Sequence, residues 1–220
     1  MISAVVYDFD NTLVATDEYV RQHIIETAER VLGKEEASKI MVLDKLKAVQ
    51  KANTPFEVIF TTTFGEELGK RILAAYRETA VHKPYFSSIG GVSLVNALKE
   101  RSVLQGILTN RTRMVEERLS QAGYPKLDFI LTPPSDDLRK PNPRSFDRVI
   151  EFLQQKGVER KNCVSIGDHT DDYLAASGAG LRFIGVLTGL TTREDFLAKG
   201  LERQFIAENL VGAGKIIEKM

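Results

Sequence analysis

The chain has 220 residues, of which 43% are hydrophobic and 27% are charged, a composition typical of a globular protein. Its 30 lysine and arginine residues balance 30 aspartate and glutamate residues, so the charge gives no indication of nucleic-acid binding. The single cysteine, Cys163, excludes an intrachain disulfide bond, and no apolar stretch is long enough to cross a bilayer. The opening residues also lack the basic segment of a signal peptide, so we expect a cytoplasmic location without a membrane partner.

The first part of the chain combines one strand with a long helical block. Residues 2–7 form a short apolar run that ends in Asp-Phe-Asp, which is typical of a buried strand that opens into a loop. From about residue 16 to residue 83, apolar residues recur at steps of three and four, which predicts helices. These steps join Val20, Ile24, Thr27 and Val31, then Val42, Leu46 and Val49, and then Leu68, Ile72 and Ala75. The segment Asn53-Thr54-Pro55 predicts the end of one helix and the start of the next, because proline fits the first turn of a helix but not its interior.

Strands and helices alternate in the rest of the chain. Apolar runs predict strands over residues 103–108, 129–131, 163–166 and 183–187, with a further short strand near Phe205. Helical spacing predicts helices before and between these strands, and a polar, proline-rich loop covers residues 132–143. This alternation indicates an α/β protein with a Rossmann-like parallel sheet that is covered on both faces. We expect residues 1–16 and 87–220 to form this core and residues 17–86 to form an inserted α-helical cap domain.

Polar side chains follow the predicted strands at the points where the strands end. Asp8 and Asp10 come directly after the first strand, and alternate residues of an extended segment point the same way. Two such carboxylates can take different roles in a reaction, one as nucleophile and the other as acid. Thr109 and Asn110 follow the next predicted strand and precede a helix, where a hydroxyl and backbone N–H groups can bind an anion. Taken alone, the two aspartates also fit a polar loop that caps a helix, and Asn110 also fits an N-cap.

Two further clusters follow later strands. Lys140 lies in a segment whose two prolines restrict the chain and would hold a lysine in place, although Arg139 is a competing candidate and most lysines are solvated. Asp168 directly follows Gly167 at the end of a predicted strand, and Asp172 lies one helical turn further on. An aspartate at a strand end can face a hard cation, but acidic residues also favour the first turn of a helix because of the helix dipole.

Taken together, the four clusters indicate a single site. The carboxyl ends of parallel strands meet at one edge of a sheet, so these side chains can converge on one site. Two like charges about 4 Å apart repel by roughly 4 kcal/mol at an effective dielectric constant near 20, so three or four carboxylates in one pocket need cations beside them. Lys140 supplies one positive charge, and a divalent cation would supply the rest. Because ligation by oxygen alone favours Mg²⁺ over Zn²⁺, the sequence predicts a magnesium site.

These residues resemble the motifs of the haloacid dehalogenase superfamily of hydrolases, in particular its phosphatases with a helical cap after the first strand. The segment DFDNTL resembles the first motif of that family, and the other three clusters follow in the order of its later motifs over nearly the whole chain. The resemblance implies that Asp8 attacks the phosphorus of a phosphate monoester and forms an aspartyl-phosphate. It also implies that Asp10 protonates the departing alkoxide and then activates the water that hydrolyses the intermediate.

The resemblance further implies how the substrate is held. Thr109, the Asn110 N–H group and Lys140 would bind the phosphoryl oxygens as charge spreads over them in the transition state. The substrate would be a small phosphorylated metabolite, with phosphoglycolate-like compounds and sugar phosphates as the leading classes.

A set of metal ligands is implied as well. The Asp8 carboxylate, the Asp10 backbone carbonyl and Asp168 would hold Mg²⁺. Asp172 would orient Lys140 or a water molecule on the metal.

Other activities use parts of the same pattern. A phosphomutase of the β-phosphoglucomutase type would return the phosphoryl group to a sugar instead of passing it to water. Dehalogenases of the superfamily lack an acid two residues after the nucleophile, so Asp10 favours phosphoryl transfer. Phosphonate hydrolysis would need a cap lysine that forms a Schiff base, and nothing singles out Lys45, Lys47 or Lys51. A non-catalytic binding or regulatory protein of the same fold is a further alternative, against which the intact set of charged clusters argues.

The histidines and the cysteine give weaker signals. His23, His82 and His169 show no spacing of metal ligands, although His169 lies inside the fourth cluster. Cys163 starts an apolar strand, which predicts buried packing.

Overall fold

The computed structural model of the chain describes residues 1–40, 43–52, 54–80 and 82–220. By its internal contacts the chain divides into two units. The first unit combines Met1–Ala15 with Tyr85–Met220, and the second unit is Thr16–Pro84. The second unit is therefore an insertion within the sequence of the first.

The first unit contains eight strands in the described residues. They are β1 (Ala4–Tyr7), β2 (Val14–Ala15), β3 (Phe86–Ser87), β4 (Leu104–Leu108), β5 (Phe129–Leu131), β6 (Cys163–Gly167), β7 (Arg182–Val186) and β8 (Ile206–Ala207). Six of them form one sheet in the order β5-β4-β1-β6-β7-β8, and every neighbouring pair in this sheet is parallel. This parallel sheet confirms the predicted α/β class.

Eleven α-helices lie in the described residues. Those of the second unit are α1 (Asp17–Leu32), α2 (Lys34–Ile40), α3 (Leu43–Lys51), α4 (Phe56–Phe64) and α5 (Glu66–Ala80). Those of the first unit are α6 (Gly91–Glu100), α7 (Val115–Gln121), α8 (Asp147–Gln155), α9 (Thr170–Gly178), α10 (Arg193–Ala198) and α11 (Leu210–Ile217). None of these described helices has both the length and the apolar sequence that a bilayer crossing requires.

The two faces of the sheet are buried under different helices. Val5 and Tyr7 of β1 point into one apolar cluster, and Ala4 and Val6 point into the other, as the two-residue period of a strand requires. Helices α6, α7 and α11 cover the first cluster, and α8, α9 and α10 cover the second. Each large apolar side chain that is fully buried stabilises the fold by about 1.5–3 kcal/mol, so both clusters hold β1 in the middle of the sheet.

The register of the sheet brings three strand ends together. Tyr7 of β1 pairs with Ile107 of β4 on one side and with Ile166 of β6 on the other. The strand order changes direction at β1, because β4 and β5 continue to one side and β6 to β8 continue to the other. Sheets of this kind bind ligands at the carboxyl ends of the strands at such a point. The loops after β1, β4 and β6 therefore share one edge.

A short antiparallel pair, β2 with β3, lies outside the six-stranded sheet. Val14 pairs with Ser87, and Ala15 pairs with Phe86. The sequence pattern did not predict these strands, because two residues are too few to show an alternation of apolar and polar side chains.

The second unit is helical and has an apolar core of its own. Its predicted apolar steps include Ile24 of α1, Leu46 of α3 and Ile72 of α5, and all three side chains are buried in this core. Two residues of the predicted pattern, Val42 and Asn53, lie outside the described residues. The buried members of this core are Val20, Ile24, Ala28, Ala37, Leu46, Ile59, Phe60, Phe64, Ile72, Leu73 and Tyr76.

Candidate active site

Polar residues follow each of the three strands that share the sheet edge. Asp8 directly follows β1, and its backbone N–H group donates to the Ile166 carbonyl at 2.8 Å, so the parallel ladder extends to this residue. Thr109 directly follows β4, and its N–H group donates to the Leu131 carbonyl at 3.1 Å. Asp168 directly follows β6. The ends of three neighbouring strands thus fix the backbone positions of these three residues.

Three carboxylates form a cluster at this edge. Oxygen atoms of Asp8, Asp168 and Asp172 all lie within 4.8 Å of one another. Thr12 Oγ1 donates to Asp168 Oδ1 at 3.0 Å, and the His169 backbone N–H group donates to Asp172 Oδ2 at 3.0 Å. Because Asp168 and Asp172 are buried, these hydrogen bonds replace contacts with water that their carboxylates lose.

Lys140 is the cation of this cluster. Its Nζ atom lies 2.6 Å from Asp8 Oδ1 and 2.5 Å from Asp172 Oδ1, and it donates to the Leu108 carbonyl at 3.0 Å. An ammonium group has three N–H donors, which matches these three contacts. Only 4% of the Lys140 side chain is exposed, so it is held between two carboxylates inside the protein.

Asn110 fixes the backbone at Lys140. The side-chain nitrogen of Asn110 donates to the Lys140 carbonyl, and its side-chain oxygen accepts from the Lys140 N–H group, both at 3.1 Å. Arg139, the competing candidate from the sequence, instead lies 3.4 Å from Asp136. The structure therefore places Lys140 at the acid cluster and directs Arg139 elsewhere.

Two glycines leave room for the buried carboxylates. A Cβ atom at Gly167 would overlap the side chain of Asp172, and a Cβ atom at Gly189 would overlap Oδ2 of Asp168. Gly189 lies in the loop after β7, so a fourth strand end also borders the cluster. Gly167 adjoins a cluster that the sequence predicts, whereas no local pattern indicates the proximity of Gly189 to Asp168.

The buried charges shift the pKa values of Asp8 and Lys140. Burial raises the pKa of Asp8 most strongly, Lys140 opposes this effect and Asp172 adds to it, so that the pKa rises from 3.8 to about 7. Burial lowers the pKa of Lys140, but the carboxylates of Asp172 and Asp8 more than offset this, so that its pKa lies above the ordinary value. Lys140 therefore stays charged near neutral pH, whereas a charged Asp8 would be stabilised by a further cation.

Asp10 has a separate partner. Arg111 Nε donates to the two carboxylate oxygens of Asp10 at 2.9 and 3.1 Å, and Arg111 Nη2 donates to Asp10 Oδ1 at 2.7 Å. The Arg111 backbone N–H group donates to Thr109 Oγ1 at 3.1 Å. The contact of Arg111 with Asp10 was not predicted from the sequence, in which the available signal was the position of Arg111 directly after Thr109 and Asn110 in the same loop.

His169 caps a helix, and Cys163 packs in the core of the first unit. Nδ1 of His169 accepts from the Asp171 N–H group at 3.1 Å, so this side chain caps the start of α9. Cys163 is fully buried at the start of β6, where burial raises the pKa of its thiol to about 12. This burial confirms the packing role predicted for Cys163.

The acid cluster has the donor set of a site for a hard cation. Its three carboxylates offer oxygen ligands, which Mg²⁺ and Ca²⁺ prefer. When ionised, these three carboxylates and Lys140 carry a formal charge of −3 + 1 = −2, which a divalent cation would balance. The residues present therefore fit a divalent metal ion. The cluster contains the Asp172 carboxylate, whereas the ligand set expected from the sequence names the Asp10 backbone carbonyl.

Comparisons with known proteins give relatives over most of the chain. A Clostridium perfringens protein provisionally named pyrophosphatase PpaX is 23% identical over 191 residues, which cover 84% of this chain and 84% of that protein. A phosphoglycolate phosphatase of Neisseria meningitidis is 30% identical over 109 residues, which cover 49% of this chain and 44% of that protein. The structure of a provisionally assigned phosphatase from Clostridium difficile has the same fold, with a TM-score of 0.77, 20% identity and coverage of 98% of both chains.

A family model gives the assignment. The model for haloacid dehalogenase-like hydrolases matches residues 5–186, which include all four polar clusters. The resemblance inferred from the sequence is thereby confirmed, and the chain belongs to the haloacid dehalogenase-like hydrolase family.

Proposed function

We propose that this hydrolase is a Mg²⁺-dependent phosphatase that cleaves a small phosphate monoester through an aspartyl-phosphate intermediate. The observation that carries the proposal is the contact of Lys140 with both Asp8 and Asp172 inside the three-carboxylate cluster. A carboxylate nucleophile, a buried cation and a group of oxygen ligands are the parts that phosphoryl transfer requires. The names of the two relatives, a pyrophosphatase and a phosphoglycolate phosphatase, support a phosphorylated substrate.

Asp8 is the nucleophile in this proposal. Its side chain is 12% exposed, so the carboxylate is buried on most sides but still reaches the surface of the site. Attack on phosphorus forms the bond of the aspartyl-phosphate and breaks the bond between phosphorus and the ester oxygen. Lys140 remains charged beside Asp8 and offsets the negative charge that develops on the phosphoryl oxygens.

Asp10 moves the protons. It protonates the departing ester oxygen and then removes a proton from the water that attacks the aspartyl-phosphate. The separate partners of the two aspartates support this division, since Asp8 contacts Lys140 and Asp10 contacts Arg111. Different surroundings allow two neighbouring carboxylates to hold protons to different extents.

The loop after β4 completes the phosphate site in this proposal. The Thr109 hydroxyl and the Asn110 N–H group bind phosphoryl oxygens together with Lys140. The hydrogen bonds between the Asn110 side chain and the Lys140 backbone support this arrangement, because they fix the loop after β4 against the segment that carries the lysine.

The residues that would hold Mg²⁺ are the Asp8 and Asp168 carboxylates and the Asp10 backbone carbonyl, while Asp172 keeps Lys140 in position. When bound, the ion would supply positive charge that offsets the charges of the phosphate and the carboxylates. The oxygen ligands and the formal charge of the cluster support a divalent ion here.

The helical second unit acts as the cap in this proposal and contains the residues that select the substrate. Its insertion between β2 and β3 supports this role, because the chain leaves the first unit at Ala15, five residues after Asp10, and β3 pairs with β2 where the chain re-enters. Closure of a cap excludes water and completes the contacts to the substrate. Phosphoglycolate-like compounds and sugar phosphates are the proposed substrates, in the cytoplasm.

Phosphate release from a panel of small phosphate compounds tests the proposal. Phosphoglycolate, glycerol phosphate, sugar phosphates and pyrophosphate are each assayed with Mg²⁺ and with EDTA. We expect release with Mg²⁺ only, and we expect Asp8→Asn to lower it by at least about 1,000-fold because the nucleophile is lost. Asp147→Asn is the matched control, since it makes the same change at an exposed aspartate of α8.

The outcome separates the proposal from its alternatives. Equal release by the wild type and Asp8→Asn, or no release from any compound by the folded wild type, would contradict it. Formation of an isomeric sugar phosphate in place of inorganic phosphate would identify a phosphomutase instead.

A further inference from the structure

Arg111 is the cation in contact with Asp10. Three hydrogen bonds of 2.7–3.1 Å join its Nε and Nη2 atoms to both carboxylate oxygens. Its backbone N–H group donates to Thr109 Oγ1, which ties the start of its loop to the proposed phosphate site. The arginine therefore belongs to the same small region as the proposed nucleophile and proton carrier, although neither the family assignment nor the relatives' names give it a role.

The exposure of this ion pair distinguishes it from the Lys140 cluster. The side chains of Arg111 and Asp10 are 23% and 32% exposed, whereas that of Lys140 is 4% exposed. The Arg111–Asp10 pair is therefore more accessible from solvent than Lys140. The two cations thus contact different aspartates, one buried beside Asp8 and one more exposed beside Asp10.

The position of Arg111 defines which part of a substrate it can reach. An acid that protonates a leaving group lies about 2.6–3.2 Å from the leaving oxygen. Because Arg111 lies 2.7–3.1 Å from the Asp10 carboxylate, its guanidinium is within about 6 Å of that oxygen. At this distance the guanidinium can contact a group that lies two or three bonds beyond the scissile oxygen.

The charge of the site limits what that group can be. Asp8, Asp10, Asp168 and Asp172 repel a second anion on the substrate, and Lys140 already contacts two of them. A guanidinium attracts carboxylate and phosphate groups and presents paired N–H donors that match their oxygens. Arg111 is thus placed to offset the repulsion between Asp10 and a negatively charged leaving group.

We propose that Arg111 is a specificity-determining residue that selects phosphate compounds whose leaving group carries a second anionic group two or three bonds beyond the scissile oxygen. This inference rests on the proposed phosphatase function. Phosphoglycolate represents a leaving group with a carboxylate, and pyrophosphate represents one that is itself a phosphate. Hydroxyethyl phosphate is the matched neutral probe, because it replaces the carboxylate of phosphoglycolate with an alcohol.

The kinetic test compares kcat/KM for phosphoglycolate and hydroxyethyl phosphate. We expect Arg111→Met to reduce the preference for phosphoglycolate by about 10- to 100-fold, the effect of losing a charge-assisted hydrogen bond. Arg111→Lys retains the charge and is expected to keep part of the preference. Arg113→Met, which removes the charge of an exposed arginine in the same loop, is expected to leave the preference unchanged. Pyrophosphate, measured in parallel, shows whether a phosphate is selected as well as a carboxylate.

A role of Arg111 in positioning Asp10 alone gives a different result. In that case Arg111→Met lowers kcat/KM for both esters by the same factor, and the inference is overturned. Arg111→Gln provides a second uncharged variant, whose side chain is polar. Circular dichroism checks the fold of each variant. Loss of preference in a folded variant is therefore a property of the side chain.

Binding measurements separate this inference from the proposed function. Calorimetry with the Asp8→Asn protein and Mg²⁺ measures the affinity for both esters without turnover. We expect tighter binding of phosphoglycolate, and we expect the added Arg111→Met change to remove that difference. If the wild type hydrolyses neither ester but this result holds, the phosphatase proposal fails and the anion selection stands. Equal affinity for both esters in the Asp8→Asn protein would overturn the selection itself.

Discussion

The Lys140 cluster of the first unit and the ion pairs of the helical unit lie in opposite surroundings. In the first unit, Lys140 is buried and lies against Asp8 and Asp172 at the edge of the sheet. In the helical unit, pairs such as Lys70 with Glu66 lie at the surface, where 63% of the lysine side chain is exposed. A lysine therefore contacts a carboxylate in both places, but of these two the Lys140 cluster alone has lost most of its water.

This difference indicates what each set of charges contributes. An exposed ion pair stabilises a protein by about 0–1 kcal/mol, because water screens the charges and two long side chains lose freedom. A buried pair loses so much hydration that apolar side chains of similar volume often give equal or greater stability. The helical unit thus depends on its apolar core, whereas the buried charges of the first unit agree better with a chemical role than with a stabilising one.

Removal of the buried cation is expected to have the largest effect on stability. Lys140→Met leaves Asp8 and Asp172 buried without their positive partner, which costs about 3–5 kcal/mol. Lys70→Met, the matched control, is expected to change stability by less than about 1 kcal/mol. Urea unfolding at pH 8 with EDTA measures both, followed by far-ultraviolet circular dichroism because the chain has no tryptophan. Similar midpoints for the two variants would show that burial does not distinguish these lysines.

Removal of one buried anion is expected to increase stability instead of lowering it. The pKa of Asp8 is about 7 in the folded protein and 3.8 ordinarily, so the folded state binds its proton more tightly than the unfolded state. Stability of the metal-free protein therefore falls as the pH rises from about 4 through 7. Asp8→Asn removes this loss and is expected to stabilise the metal-free protein at pH 8 by up to about 4 kcal/mol.

Thermal unfolding with EDTA at pH 5 and pH 8 tests the effect of Asp8→Asn. We expect a smaller gain at pH 5, where Asp8 is still protonated in the folded wild type. Asp147→Asn controls for the loss of an exposed carboxylate. A gain that is equal at both pH values, or a net loss at pH 8, would contradict the burial argument.

Crowding of Asp168 is expected to have a smaller effect. The Cβ atom introduced by Gly189→Ala would overlap Oδ2 of Asp168, and overpacking of this kind typically costs about 1–3 kcal/mol. We also expect weaker stabilisation by Mg²⁺, measured as the increase in melting temperature with metal concentration. Gly214→Ala in α11 is the control, since its Cβ would meet a movable side-chain atom of Leu94 at 3.2 Å. An unchanged response of Gly189→Ala to Mg²⁺ would mean that Asp168 does not take part in metal binding.

The main elements of the fold could be predicted because their sequence signals are local. The predicted strand over residues 129–131 coincides with β5, and the predicted strand over residues 163–166 lies within β6. A strand that is buried on both faces is an apolar run, and such a run can be read without knowledge of its neighbours. Short elements such as α10, with six residues, have too few positions to show a helical period and were missed.

The candidate site could be predicted only in part, because some of its contacts join distant segments. Asp8 and Lys140 stand at recognisable points, a strand end and a segment with two prolines. The contact of Arg111 with Asp10, however, joins residues 101 positions apart, and a single arginine in a loop is usually solvated. The sequence predicted a role for the backbone N–H group of Asn110. The hydrogen bonds of its side chain with the Lys140 backbone could be identified only from the structure.

His23 extends this comparison to a histidine of the helical unit whose spacing in the sequence indicated no metal site. It is buried in the helical unit, where its Nε2 atom lies 2.7 Å from Thr79 Oγ1 and its ring centre lies 4.3 Å from that of Tyr76. Burial lowers the pKa of His23, as do the charges of Lys83 and Arg30, while Glu26 opposes this effect. The folded helical unit therefore disfavours the protonated form of this histidine.

The pKa of His23 predicts how acid weakens the helical unit. Because the folded pKa lies below the ordinary value of 6.5, the unfolded state binds more protons, and stability is lost as the pH falls below about 6.5. His23→Gln removes this contribution, so we expect less loss of amide-exchange protection in α1 and α5 between pH 7 and pH 5 than in the wild type measured under the same conditions. His82→Gln, at an exposed position, is the control and is expected to behave as the wild type. The effect is expected to be the smallest of those described, because it involves one neutral side chain instead of a cluster of charges. An undiminished loss of protection in His23→Gln would assign the acid sensitivity to other groups.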